Sequence, residues 1–388
     1  MKKLSSILLA AMFILSPIRA FAQTPLHSTV MTLKDNVTID LKSQSACLME
    51  SETGEVIYEK SATEHHEPAS VTKIMSVLLI YEALSDGRIT KSDVVTASET
   101  ASNMGGSQIW LEPGEQMSVD EMLKAILVVS ANDCTVAMAE HLAGSEDAFV
   151  VLMNERAKQL GMTDTNFVNS TGLPAENHYS CAKDIALMTH ELLKHEDVFN
   201  YTMIWMDSLR NGEFGLSNTN KLIRFYPGAN GMKTGFTDSA GYCMSATATR
   251  DGMTLISVVM KADTSDNRFS DAKKLLDYGF ANFTVYRISE GNLAPISVKG
   301  GTVDSVALKC SAKALLLTKG RDQLVESVTE LPESIKAPVF QDQVIGQIRY
   351  TLCGEEIAVI DITAVNGVQR MGFWDVFKKL LRTTVMIR

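Results

Sequence analysis

Three short strings at wide spacing carry residue types that can do covalent chemistry: Ser70-Val71-Thr72-Lys73, Ser130-Ala131-Asn132 and Lys233-Thr234-Gly235. A serine hydroxyl is a weak nucleophile at neutral pH. It needs a base in hydrogen-bond reach, donors for an oxyanion, and a cation where the substrate is anionic. On a helix Lys73 lies one turn after Ser70, so both side chains share a face. At the helix start, the N–H of Ser70 and the helix dipole would stand beside developing negative charge. Lys73 can take a proton only when neutral, and apolar neighbours with a second ammonium, Lys233, would push its pKa down. Ser130 can relay a proton to a leaving amine and the Asn132 amide can bind a peptide, although Ser and Asn before a helical run also read as a cap. Lys233 and Thr234 present a charge and a hydroxyl to a carboxylate, and Gly235 would let substrate backbone lie close to a strand edge. In this order the strings fit a serine enzyme that opens an amide through an acyl intermediate with a lysine beside the nucleophile.

Such residues need a scaffold. Residues 45–60 read as a hairpin, with Ala46, Leu48, Val56 and Tyr58 flanking a polar turn. Ser70 to Leu84 predicts a helix that is apolar nearly all round and therefore buried within a domain. A second helical region runs from Ser118 to Gly144 with a break near Ser130, and helical patterns follow at 146–160 and 181–195. Gly241–Arg250 and Met253–Lys261 read as strands around an Asp251-Gly252 turn, and Arg268–Phe280 as a closing helix. Strands, then helices, then strands predict a mixed α/β (α+β) fold: an antiparallel sheet flanked by helices, with a helical lobe beside it. From 291 to 368, short alternating runs broken by Gly, Asp and Pro predict a small all-β, sandwich-like domain.

The ends of the chain differ from this body. Lys2 and Lys3, the apolar run Ile7–Leu15 and the small-x-small string Ala20-Phe21-Ala22 read as a signal peptide over 1–22, so export is expected, with a mature chain starting at Gln23. In residues 369–388, Phe373, Trp374, Phe377, Leu380 and Leu381 recur at helical spacing. Lys378, Lys379 and Arg382 fall between them, in a segment of four bases and one acid from Met371 onward. The chain as a whole is acidic, with net charge −10. That acidity argues against a nucleic-acid partner, and none is expected; the local reversal at the tail fits a helix lying in an anionic membrane surface, against the alternative of a helix docked on the β-domain. None of the six cysteines has C-x-x-C spacing, so no metal is expected. Buried free thiols are expected over disulfides, because Cys47, Cys243 and Cys353 lie in apolar strand-like runs. There is no glycine-rich phosphate loop, and no cofactor is expected.

Further strings support the three motifs: Met104-Gly105-Gly106-Ser107, Leu111-Glu112-Pro113-Gly114-Glu115, Thr171-Gly172-Leu173-Pro174, His178-Tyr179-Ser180, Tyr226-Pro227-Gly228 and Ala240-Gly241-Tyr242. With them the chain resembles the serine-type D-alanyl-D-alanine carboxypeptidases among the low-mass penicillin-binding proteins, over nearly the whole mature chain. The resemblance implies a β-lactamase/transpeptidase-like catalytic domain over 23–290, the β-domain over 291–368, and an amphipathic membrane-associating helix over 369–388. It implies that Ser70 forms the acyl-enzyme, Lys73 accepts the proton and Ser130 completes the catalytic set. Asn132, Lys233 and Thr234 would bind substrate, and Arg268 would hold the terminal carboxylate of a peptidoglycan stem peptide ending in D-Ala-D-Ala. β-Lactams would be covalent inhibitors, and the enzyme would work at the outer face of the cytoplasmic membrane. Two positions depart from relatives: Ala131 where class A β-lactamases carry Asp, and Phe236 where some relatives carry His after Lys-Thr-Gly. A β-lactamase would need a Glu-x-x-Leu-Asn loop, and residues 163–169 contain no Glu. A silent wall-binding homologue would have lost a reactive residue, and all are present.

Overall fold

The computed structural model describes residues 37–385; the signal segment lies outside them. Strands β1 (Ser45–Glu50), β2 (Val56–Lys60), β3 (Ala229–Thr237), β4 (Gly241–Arg250) and β5 (Met253–Ala262) form one antiparallel sheet in the order β2-β1-β5-β4-β3. Sequence-distant β1 and β5 pair at its centre, from Ser45↔Met260 to Glu50↔Leu255. Alternate side chains leave opposite faces of a strand. Cys47, Met49, Cys243, Val258 and Met260 therefore enter one core, and Ala46, Leu48, Met244, Ala246 and Val259 another. Helices α1 (Lys73–Ser85), α2 (Val119–Val128), α3 (Asn132–Ala143), α4 (Glu146–Gln159) and α5 (Ala182–Leu192) fill the first core. Helix α6 (Ser265–Asn282) covers the second with Phe269, Leu275, Leu276 and Phe280. Ser118 starts α2 with a reciprocal capping box to Glu121, and Thr264 caps α6 through the Asn267 N–H.

The expected helix over Ser70–Leu84 divides in two. Ala69–Thr72 is a tight 3-10 turn and α1 starts at Lys73. Residues i and i+3 eclipse in a 3-10 turn, so Ser70 and Lys73 still stack.

The β-rich part starts before residue 291, where the sequence placed it. β6 (Phe283–Ile288) pairs with β9 (Lys313–Thr318) and packs against a six-stranded sheet. That sheet contains β7 (Gly291–Lys299), β8 (Ser305–Cys310), β10 (Val325–Glu330), β11 (Ser334–Lys336), β12 (Val344–Leu352) and β13 (Glu355–Ala364), in the order β10-β12-β13-β8-β7-β11. Five cysteines are buried, but Cys353 is exposed in the β12–β13 turn at φ +53°, not inside a strand. A hairpin turn needs a positive-φ residue more than an apolar one. Helix α7 (Phe373–Val385) leaves Phe373, Trp374, Phe377 and Leu381 exposed and does not bury them on the β-domain. No helix among the described residues is long and apolar enough to cross a membrane.

Candidate active site

Ser70 is half-buried in its turn, and Lys73 is fully buried directly behind it. Lys73 Nζ lies 2.9 Å from Ser70 Oγ and donates to the Thr171 carbonyl at 2.7 Å. Burial first, and Lys233 second, hold the Lys73 ammonium well below its usual range; Asp133 opposes them. A neutral Lys73 can donate to Thr171 and accept the Ser70 proton at the same time.

Two glycines allow other chain segments to press on this turn. A Cβ at Gly235 would lie 2.8 Å from the Pro68 carbonyl and 3.0 Å from the Ser70 nitrogen. Gly235 therefore makes room for the nucleophile turn itself, not for substrate alone as its motif suggested. A Cβ at Gly172, at φ +84°, would sit 1.8 Å from the Ala69 carbonyl. Gly172 belongs to an irregular loop that three hydrogen bonds fasten to α1 and to the turn before it. Lys73 makes the first. Ser76 Oγ donates to Ser170 O at 2.6 Å, and His178 Nε2 lies 2.9 Å from Thr72 Oγ1. His178 Nδ1 accepts from Val168 N–H at 3.0 Å, which puts the proton on Nε2. Burial lowers the His178 pKa to about 4.

The second motif breaks the helical region where the sequence expected. Ser130 stands at φ +68° between α2 and α3, buried, with no hydrogen-bond partner on Oγ. Asn132 opens α3 but does not cap it. Its Nδ2 donates to Gly105 O at 2.6 Å and its Oδ1 is an unused buried acceptor. Such orphaned groups call for a ligand or a catalytic reason.

The third motif lies on β3, one of the two edge strands of the sheet, whose outer backbone groups can align an extended peptide. Lys233 Nζ donates to Thr234 O at 2.8 Å, and burial with nearby Arg268 lowers its pKa to about 7. Thr234 Oγ1 donates to Thr219 Oγ1 at 2.7 Å, and the Thr219 N–H donates to Val128 O. Thr219 thus ties the third motif to the residues just before Ser130. Arg268 Nη1 reaches Gly235 O at 3.2 Å, its guanidinium lies over Tyr242 and Phe269, and its buried Nε has no partner. Phe236 is half-exposed and stacks on Tyr242. Lys73 thus contacts Ser70 and feels the charge of Lys233, Arg268 reaches Gly235 beside the Ser70 turn, and Thr234 is tied through Thr219 to the residues before Ser130, whereas Asn132 contacts the loop over residues 105–107. His178 structures its loop, as its place in the Asn177-His178-Tyr179-Ser180 string suggests, whereas the sequence singles out no role for Thr171, Gly172 or Thr219. Thr171 and Gly172 lie in a string that carries the resemblance, and nothing in the sequence marks Thr219.

Residues 30–264 match the family model described as D-alanyl-D-alanine carboxypeptidase, and residues 283–370 match the C-terminal domain of penicillin-binding protein 5. The chain belongs to the D-alanyl-D-alanine carboxypeptidase family. It is 42% identical to the D-alanyl-D-alanine carboxypeptidase DacF of Bacillus subtilis over 88% of this chain and 89% of that one. Penicillin-binding protein 5 of Haemophilus influenzae superimposes with TM-score 0.76 at 32% identity, over 86% of this chain and all of that one. Penicillin-binding protein D2 of Listeria monocytogenes, solved in an ampicillin-bound form, gives TM-score 0.58 at 32% identity over 63% of this chain and all of that one. The family match accounts for both parts of the fold: the helix-flanked sheet that carries the three motifs and the β-domain that follows it.

Proposed function

We propose that this chain, a serine D-Ala-D-Ala carboxypeptidase and penicillin-binding protein, removes the terminal D-alanine of peptidoglycan stem peptides through an ester on Ser70. The observation that carries the assignment of roles is the buried Lys73 amine in hydrogen-bond reach of the Ser70 hydroxyl. Neutral Lys73 takes the Ser70 proton as Oγ attacks the carbonyl of the penultimate D-Ala. The C–N bond breaks, and the departing amine receives a proton through Ser130. Asn132 holds the acyl-side peptide against β3. Lys233, Thr234 and Arg268 hold the terminal carboxylate, where an arginine fork suits two oxygens. Water then hydrolyses the ester. β-Lactams enter by the same attack. Residues 163–169 hold no Glu of the kind a β-lactamase uses to activate water, so a penicilloyl ester should be long-lived.

Comparing a peptide ending in D-Ala-D-Ala with its C-terminal amide tests the carboxylate reading. The acid should be turned over and the amide should not. Equal turnover would remove Lys233, Thr234 and Arg268 from that role and point to endopeptidase activity.

The place of action forms part of the proposal. The signal sequence would export the chain, and α7 would hold it on the outer face of the cytoplasmic membrane. The exposed Phe373, Trp374, Phe377 and Leu381 support this reading. Their burial is worth several kcal/mol, at roughly 25 cal/mol per Å², and each nearby base adds about 1 kcal/mol.

A further inference from the structure

Trp110 is exposed, at 66% of its full area, yet its backbone sits at φ +61°. A bulky residue adopts that conformation only when its surroundings impose it. Here four hydrogen bonds do so. The buried Asp133 carboxylate accepts from the amides on either side, Ile109 at 3.0 Å and Leu111 at 3.1 Å. Arg210 donates to the carbonyls of Ile109 at 2.8 Å and Trp110 at 3.3 Å. Arg210 is itself fixed by Glu115 at 2.8 and 3.0 Å. Ile109 and Leu111 are buried, so the core gains from the neighbours and not from the indole.

The indole borders an open recess of about 620 Å³, lined also by Glu112, Pro113, Gly114, Glu115 and Arg210. The same loop gives Gly105 O to the Asn132 side chain and Ser107 O to the Asn132 N–H. It is therefore a wall of the active-site cleft at one end and of the recess at the other. Two carboxylates against one guanidinium disfavour an anion. A rigid indole face with an exposed carboxylate, Glu112, suits a neutral ligand with an apolar C–H face and hydroxyl donors at its rim. A pyranose has that form.

We propose that Trp110 and Glu112 form a subsite for a sugar ring of the peptidoglycan. The proposal rests on the reading that the substrate is a peptidoglycan stem peptide. The reacting D-Ala-D-Ala end is tethered through that peptide to the glycan, so the rest of the substrate must leave the cleft along one of its walls. Ring stacking on Trp110 would then add binding without touching the reacting atoms.

The test compares kcat/KM for two substrates with the same D-Ala-D-Ala end, a short acetylated peptide and a disaccharide-pentapeptide. Trp110→Asn suits a left-handed backbone and removes the ring. It should lower the ratio of disaccharide-pentapeptide to peptide turnover about five- to tenfold, through KM, the scale of one good aromatic contact. Trp110→Phe should restore part of that ratio. A ratio unchanged in Trp110→Asn, or the two substrates falling together, overturns the subsite. Failure of the underlying substrate reading looks different: the unaltered protein would then cleave neither compound.

Discussion

Two buried lysines divide the work at the centre of this site. Lys73 must be neutral to accept a proton and Lys233 must be charged to meet a carboxylate. Lys73 is pulled down by burial and by Lys233, whereas Lys233 is lowered to about 7. Rising pH should therefore activate the free enzyme as Lys73 deprotonates and inactivate it above about 7 as Lys233 does. A bell-shaped kcat/KM profile is expected. Bound carboxylate stabilises the Lys233 charge, so the falling limb of kcat should lie at higher pH. Lys233→Arg keeps the charge and should remove that limb; a falling limb retained in the variant would belong to another group. The chemistry at this scale was legible because side-chain type limits what Ser, Lys and Arg can do. The partners were less so. Thr219 lies 15 residues from Thr234, and only its hydroxyl contact and its bond to Val128 give it a role.

Among the elements, the irregular loop over residues 163–180 shapes the site as much as any helix. It has no periodicity to read. Its form comes from side chains holding backbone, as where Asn154 both accepts from Phe167 N–H and donates to Phe167 O. For the same reason the left-handed backbone of Ala69, at φ +48°, and the start of α1 at Lys73 could not be read from an apolar pattern that covers Ser70 onward. The hairpin, the buried helix and the paired late strands were legible, because alternation and apolar runs report burial directly. His178 is the bolt of this loop. A glutamine there can accept from Val168 and donate to Thr72, whereas a leucine leaves both groups without that partner, at about 1–3 kcal/mol for the buried Thr72 hydroxyl. His178→Gln should keep near-normal acylation, and His178→Leu should lower both melting temperature and acylation rate as Thr171 slips from Lys73. Acid gives a second reading. The native His178 pKa, about 4, lies below the ordinary 6.5. Its contribution is therefore present above 6.5 and is lost as pH falls toward 4, on the order of 3 kcal/mol in all. That acid loss should be missing from His178→Gln. Equal acid sensitivity in the two proteins would remove His178 from this account.

At the scale of the whole molecule, the chain sets a catalytic head before a β-domain and a basic amphipathic end. The charge reversal and helical spacing made the end legible. The junction was not, because β6 and β9 lie about thirty residues apart in sequence and composition shifts only after residue 291. Truncation before Met371 should give a protein that no longer pellets with anionic vesicles but still cleaves small D-Ala-D-Ala peptides. Salt should weaken the attachment of the longer form without abolishing it, since screening removes the basic contribution and leaves the apolar one. A full-length mature protein that fails to pellet would leave α7 without a membrane role.

The central claim is that Ser70, deprotonated by Lys73, forms the acyl-enzyme. Mass spectrometry after reaction with a penicillin measures this most directly. One adduct per chain is expected, on the peptide containing Ser70. It should be absent from a folded Ser70→Ala variant and strongly slowed in Lys73→Arg, which cannot release its proton at working pH. An adduct that persists in Ser70→Ala, or that maps to another residue, would contradict the account.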